Sequence, residues 1–136
     1  AIGLGQIKVL EKRILSRRKI NNFYASIFKN IKGVTVFNEP NSDFYSNHWL
    51  TIILIDPNLT NGKTNEDFRQ FLENQNIESR LLWKPLHLQP LFEKNIYFGN
   101  NIAQNLFEKG LCLPSSSNLN SNDKLKIKNA ITAFFN

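Results

Sequence analysis

The densest set of chemically able residues in this chain is Trp83-Lys84-Pro85-Leu86-His87-Leu88-Gln89-Pro90. Two prolines stiffen the backbone there and hold Lys84, His87 and Gln89 close together, just beyond a strand-like run. Such a trio can offer hydrogen bonds and positive charge to phosphate or sugar oxygens. The same residues also read as an irregular edge segment packed through Trp83, Leu86 and Leu88, with His87 capping a carbonyl, and the residues alone weigh the two equally. Arg80 follows Glu78 by two positions. It either pairs with that acid or presents its planar fork to a carboxylate.

Elsewhere the catalytic inventory is thin. Cys112 lies between two leucines, where a thiol serves as a small core residue rather than a nucleophile. His48 and His87 have no acidic or Cys ligand motif beside them, which argues against a metal site. Gly3-Leu4-Gly5 lacks both the third glycine and the preceding strand of a phosphate-binding fingerprint. Lys and Arg total 17 against 11 Asp and Glu, for a net charge of +6. Most of that excess is Lys8, Lys12, Arg13, Arg17, Arg18 and Lys19. A basic helix of this kind can grip phosphates, so a small module binding nucleic acid or an acidic partner is the competing reading. A solvated helix face whose acidic partner lies elsewhere is favoured over it, because no interleaved aromatics and no helix-turn-helix, zinc-finger or ribonucleoprotein signature accompany the stripe.

The elements that must carry these residues follow from periodicity. Leu4, Ile7, Leu10, Ile14, Ile20, Tyr24, Ile27 and Ile31 fall mostly at steps of three and four and predict one long amphipathic helix. Val34 to Phe37 predicts a short strand and Trp49 to Ile55 a central strand covered on both faces. Thr64 is placed to cap a helix ending near Asn74, with Phe68, Phe71 and Leu72 inward. Ile77 to Trp83 reads as another strand, Asn101 to Lys109 as a helix, and Leu111 to Leu113 as a strand. Ser121 is the expected cap of a last helix that buries Leu125, Ile127, Ala130, Ile131 and Phe134. This order predicts an α+β two-layer domain spanning residues 1–136, helices packed on a small sheet.

One Cys and no run near the roughly 20 apolar residues that cross a bilayer predict a soluble protein of a reducing, cytoplasmic setting. The chain opens Ala1-Ile2-Gly3-Leu4, apolar at helical spacing with no capping residue ahead, which is expected of a piece of something longer.

Ala1-Ile2-Gly3-Leu4-Gly5-Gln6, Trp49-Leu50-Thr51, Glu78-Ser79-Arg80 through Pro90, and Leu106-Phe107-Glu108-Lys109-Gly110-Leu111-Cys112-Leu113-Pro114-Ser115 together resemble the C-terminal part of the DegT/DnrJ/EryC1/StrS family. These are pyridoxal-phosphate-dependent aminotransferases of nucleotide-linked keto-sugars. The likeness runs along essentially the whole chain and is nearest to the branch making UDP-linked 4-amino sugars of the bacillosamine type. It implies the small C-terminal domain of a fold-type I aminotransferase, with a mainly antiparallel sheet and a first helix continuing from a large cofactor domain. It further implies a homodimer that takes an amino group from L-glutamate and gives it to a 4-keto sugar for surface polysaccharide or glycan synthesis, with neither nucleic acid nor membrane as partner. The lysine that binds the cofactor covalently, in a Ser-x-x-Lys segment, belongs to the large domain, so this chain alone is expected to be inert. Substrate handling is what carries over: His87 matches the loop histidine lining the nucleotide-sugar pocket, with Lys84 and Gln89 beside it, and Arg80 matches an arginine at its strand end. Leu81 stands where many relatives have Pro, which loosens the geometry expected of Arg80, and His48 departs from the family pattern.

Overall fold

The structure, a computed structural model, describes residues 2–136. Its elements run α1 (Ile2–Ile7), α2 (Leu10–Phe28), β1 (Val34–Val36), β2 (Thr51–Ile55), α3 (Asn65–Asn74), β3 (Arg80–Leu81), a 3-10 turn (Leu86–Leu88), α4 (Ile102–Lys109), β4 (Gly110–Leu113) and α5 (Ser121–Phe135). The strands form an antiparallel sheet in the order β1-β2-β4-β3, with Val34 opposite Ile55, Ile53 opposite Leu111, and Arg80 opposite Cys112. The α+β expectation holds.

Side-chain alternation decides the core. Thr51, Ile53 and Ile55 share one face of β2 and are buried, whereas Ile52 and Leu54 on the other face are only half-buried, so the strand is less fully covered than its composition predicts. Onto the buried face pack Ile20, Tyr24 and Phe28 of α2, Phe68 and Leu72 of α3, and Ile127, Ala130 and Ile131 of α5. Phe68, Phe134 and Phe135 meet with ring centroids 4.8 to 5.0 Å apart, an aromatic knot joining α3 to α5. The Tyr24 hydroxyl, buried with its ring, donates to the Pro114 carbonyl at 2.9 Å, and burial pushes its pKa well above the ordinary range.

Several expectations are corrected. The first helix is two, interrupted at Lys8-Val9, and Leu4, Ile7 and Leu10 stand in solvent because the stripe they begin reaches the core only from Ile20 onward. The strand expected over 77–83 shrinks to two residues. Ile77 is still closing α3, its N–H donating to the Leu72 carbonyl at 2.9 Å, and Leu82 and Trp83 have already left the sheet. The last helix is capped by Asn120 rather than Ser121, in a reciprocal box with Asp123. Leu125 is exposed, since two residues before Ile127 is the opposite side of a helix. The box between Thr64 and Asp67 forms as its spacing predicts.

Candidate functional site

The segment after β3 is a short rigid shelf. Pro85, at φ −56° and ψ 147°, turns the chain into the 3-10 turn, where the Leu88 N–H donates to the Pro85 carbonyl at 3.0 Å and the Gln89 N–H to the Leu86 carbonyl at 2.9 Å. The Gln89 side chain then closes the shelf, its Nε2 donating to the Lys84 carbonyl at 2.9 Å. His87 faces a cavity of about 250 Å³ lined also by Leu86, Phe92, Asn95, Ile96 and Tyr97. Its imidazole lies against the Tyr97 ring, centroids 3.9 Å apart and planes 23° from parallel. His87 Nε2 is shut off from water yet has no hydrogen-bond partner among the described residues. A buried polar atom left so costs about 1–3 kcal/mol; Asn21, Thr51 and Ser79 each carry one as well, and among the four only Ser79 and His87 line a concavity. His87 Nε2 therefore caps no carbonyl within the chain. Lys84 is exposed at the shelf's start.

Arg80 is elsewhere. Its Nε and NH2 donate to Glu78 Oε1 at 2.9 and 2.5 Å, both side chains largely in solvent, so the pair adds little stability. It lines an open groove of about 620 Å³ together with Ser79, Leu113, Trp49 and Trp83. The two tryptophans stack there at 5.9 Å and 25°, though each is more than half exposed. The structure thus brings Lys84, His87 and Gln89 onto one shelf and sets Arg80 in a second concavity. Sequence reasoning missed Tyr97 and the tryptophan pair. Ile96-Tyr97-Phe98, three apolar residues in an otherwise polar loop, was the available signal for Tyr97.

The basic helix is only in part the solvated face expected of it, and the acidic partner of Arg18 is Glu39 of the same chain. Arg18 donates to Glu39 Oε1 at 2.7 Å and to the Ser46 carbonyl, with its guanidinium 4.3 Å from the centre of the Tyr45 ring. His48 Nε2 lies 3.3 Å from the other Glu39 oxygen. Arg17 donates to the Trp49 carbonyl at 2.9 Å, and Arg13 to Ser117 Oγ and Asn118 Oδ1 at 2.8 and 3.1 Å. Three of the six cations thereby tie down the chain's own loops, leaving Lys8, Lys12 and Lys19 in solvent. The Arg18 hydrogen bond and the Ser46 N–H hold the Glu39 carboxyl down to about 2. Cys112 is buried, and burial pushes its thiol up, away from the thiolate.

Residues 1–132 match the DegT/DnrJ/EryC1/StrS aminotransferase family along nearly their whole extent. The chain belongs to that family. EpsN of Bacillus subtilis strain 168, whose name assigns it as a pyridoxal phosphate-dependent aminotransferase, is 34% identical over 138 residues that cover 98% of this chain and 34% of EpsN. The GDP-perosamine synthase of Vibrio cholerae is 31% identical, covering 100% of this chain and 36% of the synthase. Among solved structures, the aminotransferase TlmJ of Streptoalloteichus hindustanus superposes with a TM-score of 0.83 at 19% identity over 97% of this chain and 34% of TlmJ. Helicobacter pylori PseC, an aminotransferase of pseudoaminic acid biosynthesis, does so at 0.81 and 22% over 98% of this chain and 35% of PseC. The chain spans about a third of the length of these relatives, and the fold is common to that third.

The described residues of this family member do not by themselves hold pyridoxal phosphate. Lys126, at the groove, is exposed and donates to the Asn76 carbonyl at 3.4 Å, and Lys84, at the start of the shelf, is exposed and lines neither concavity. Ser-x-x-Lys spacings do occur, at Ser16–Lys19, Ser26–Lys29 and Ser121–Lys124. Ser16 spends its hydroxyl on the Ser117 carbonyl at 3.3 Å and Ser26 on the Phe23 carbonyl at 2.7 Å, Lys19 and Lys29 are exposed, and Ser121 to Lys124 is the first turn of α5, so none of the three pairs lines a cavity.

Proposed function

We propose that the whole protein moves an amino group from L-glutamate to a nucleotide-linked 4-keto sugar, with UDP as the nucleotide, for surface polysaccharide or glycan synthesis. In this reading residues 1–136 are the small C-terminal domain. Pyridoxal phosphate, which carries the amino group between the two substrates, is held by a separate large domain. The enzyme works as a cytoplasmic homodimer. Family membership along the chain and the likeness to EpsN support the reading, as does a span of about a third of the relatives' length. The basic-module alternative loses its support, because Arg13, Arg17 and Arg18 are spent on loops of their own chain.

The observation that carries the site is the unpartnered His87 Nε2, buried on a residue that lines a cavity. A sugar hydroxyl or phosphate oxygen that reaches that nitrogen gives it the partner it lacks, and the nitrogen gives the substrate one fixed contact. Lys84 supplies positive charge at the mouth of the shelf. Gln89, its amide already committed to the Lys84 carbonyl, sets the spacing between the two. Arg80 contributes only when the exposed Glu78 releases it. In the whole enzyme, His87→Ala weakens sugar-nucleotide binding about 10- to 100-fold, the worth of a hydrogen bond to a charged group, and leaves cofactor absorbance unchanged. An unchanged KM and kcat for the sugar refutes the assignment.

A further inference from the structure

We propose that Tyr97 is the positioning residue of His87, and that Gly99 exists in its present form to let Tyr97 reach it. The inference rests on the reading of His87 as the sugar-binding group. A histidine ring turns easily about its last torsion, with two broad minima and none strongly fixed by the backbone. With no partner for Nε2, hydrogen bonding does not hold that nitrogen in place. What lies against the ring is Tyr97, face to face at 3.9 Å and 23°. Tyr97 reaches it from a loop that leaves its neighbours in water: Ile96 is 84% and Phe98 89% exposed, against 41% for Tyr97. Tyr97 is the least exposed of the three, and its ring is the one stacked on the imidazole.

Gly99 leaves the room that the Tyr97 ring occupies. A Cβ at position 99 would fall 2.4 Å from the Tyr97 hydroxyl oxygen and 2.8 Å from Cζ, too close for any real contact. An alanine there displaces the Tyr97 ring without altering its chemistry. Gly99 and Tyr97 thus form a relay that sets the plane of the His87 ring at the edge of the cavity.

The test compares Tyr97→Phe, Tyr97→Ala and Gly99→Ala with His87→Ala in the whole enzyme. It reads KM and kcat for the sugar nucleotide, cofactor absorbance, melting temperature, and the NMR shifts of the His87 ring protons. A ring stacked this closely displaces those protons upfield. Tyr97→Phe keeps the displacement and a KM within about twofold of wild type, because the stack needs the ring and not the hydroxyl. Tyr97→Ala and Gly99→Ala lose the displacement and raise KM about 5- to 10-fold with cofactor absorbance intact. Gly99→Ala carries the test if Tyr97→Ala fails to fold. A Tyr97→Ala or Gly99→Ala enzyme with KM unchanged, while His87→Ala raises it, overturns the positioning role and leaves the His87 reading standing. A raised KM with unmoved His87 signals also overturns it. An unchanged KM in His87→Ala itself refutes the parent reading, a distinct result.

Discussion

His48 and His87 both stand in irregular segments flanking the sheet, and from composition they are hard to tell apart. Their surroundings separate them. His48 is 6% exposed, and its Nε2 faces Glu39, whose other oxygen takes the Arg18 guanidinium. His48 also adopts a φ of 44°, left-handed backbone that a non-glycine residue holds only when its surroundings compel it. The group is closed, and lines neither concavity. His87 has a stacked face, a stiff backbone and a nitrogen with no partner. The contrast separates a satisfied histidine that fastens a loop from an unsatisfied one that has something left to bind.

The largest effect expected is on the fastened side. His48→Ala removes a buried ring and leaves Glu39 with one partner fewer, and should cost about 1–3 kcal/mol in urea unfolding with no change in sugar KM. A raised KM would break the contrast. Acid is the next lever. The Glu39 carboxyl is held down to about 2 from an ordinary 4.5, so the stability it contributes is complete above pH 4.5 and is lost as pH falls toward 2. The stability gap between wild type and Glu39→Gln, measured by urea unfolding, should therefore close across that window. Glu66, held to about 2 chiefly by Arg69 on α3, remains in both proteins and gives each a residual acid sensitivity. Smaller again, His87→Ala should change the unfolding free energy by less than about 1 kcal/mol in urea, since it forfeits one stack and removes one unsatisfied atom.

What the sequence disclosed follows the range of the forces involved. The Thr64 cap and the turn between Pro85 and Pro90 are local, set within three to five residues, and were legible. The start of α5 was not, because Asn120 and Ser121 are both good caps and only the position of Asp123 in the folded turn chooses. The length of β3 depends on how much of β4 it can pair with, a fact held some thirty residues away. The basic stripe was misread in part for the same reason: the acceptors for Arg17 and Arg18 include carbonyls at Trp49 and Ser46, and a carbonyl leaves no mark in a sequence. The shelf's residues could be picked out, but the pairing of Tyr97 with His87 could not: Ile96-Tyr97-Phe98 marks a loop with apolar residues to place, and the path by which that loop returns is not a local property.

The finest discrimination concerns Gln89, which sits beside His87 yet resembles His48 in having its polar group spent. Its Nε2 donates to the Lys84 carbonyl, a bond partly in water and worth about 0.5–1 kcal/mol. If Gln89 acts by closing the shelf, Gln89→Ala should raise sugar KM only about 2- to 4-fold, through a looser His87. Gln89→Glu, which has an acceptor in place of the donor and sets a carboxylate against the Lys84 carbonyl, should raise it at least as much. A loss in Gln89→Ala equal to that of His87→Ala would instead make Gln89 a direct ligand, and would show that a side chain hydrogen-bonded within the fold can exchange that partner for substrate.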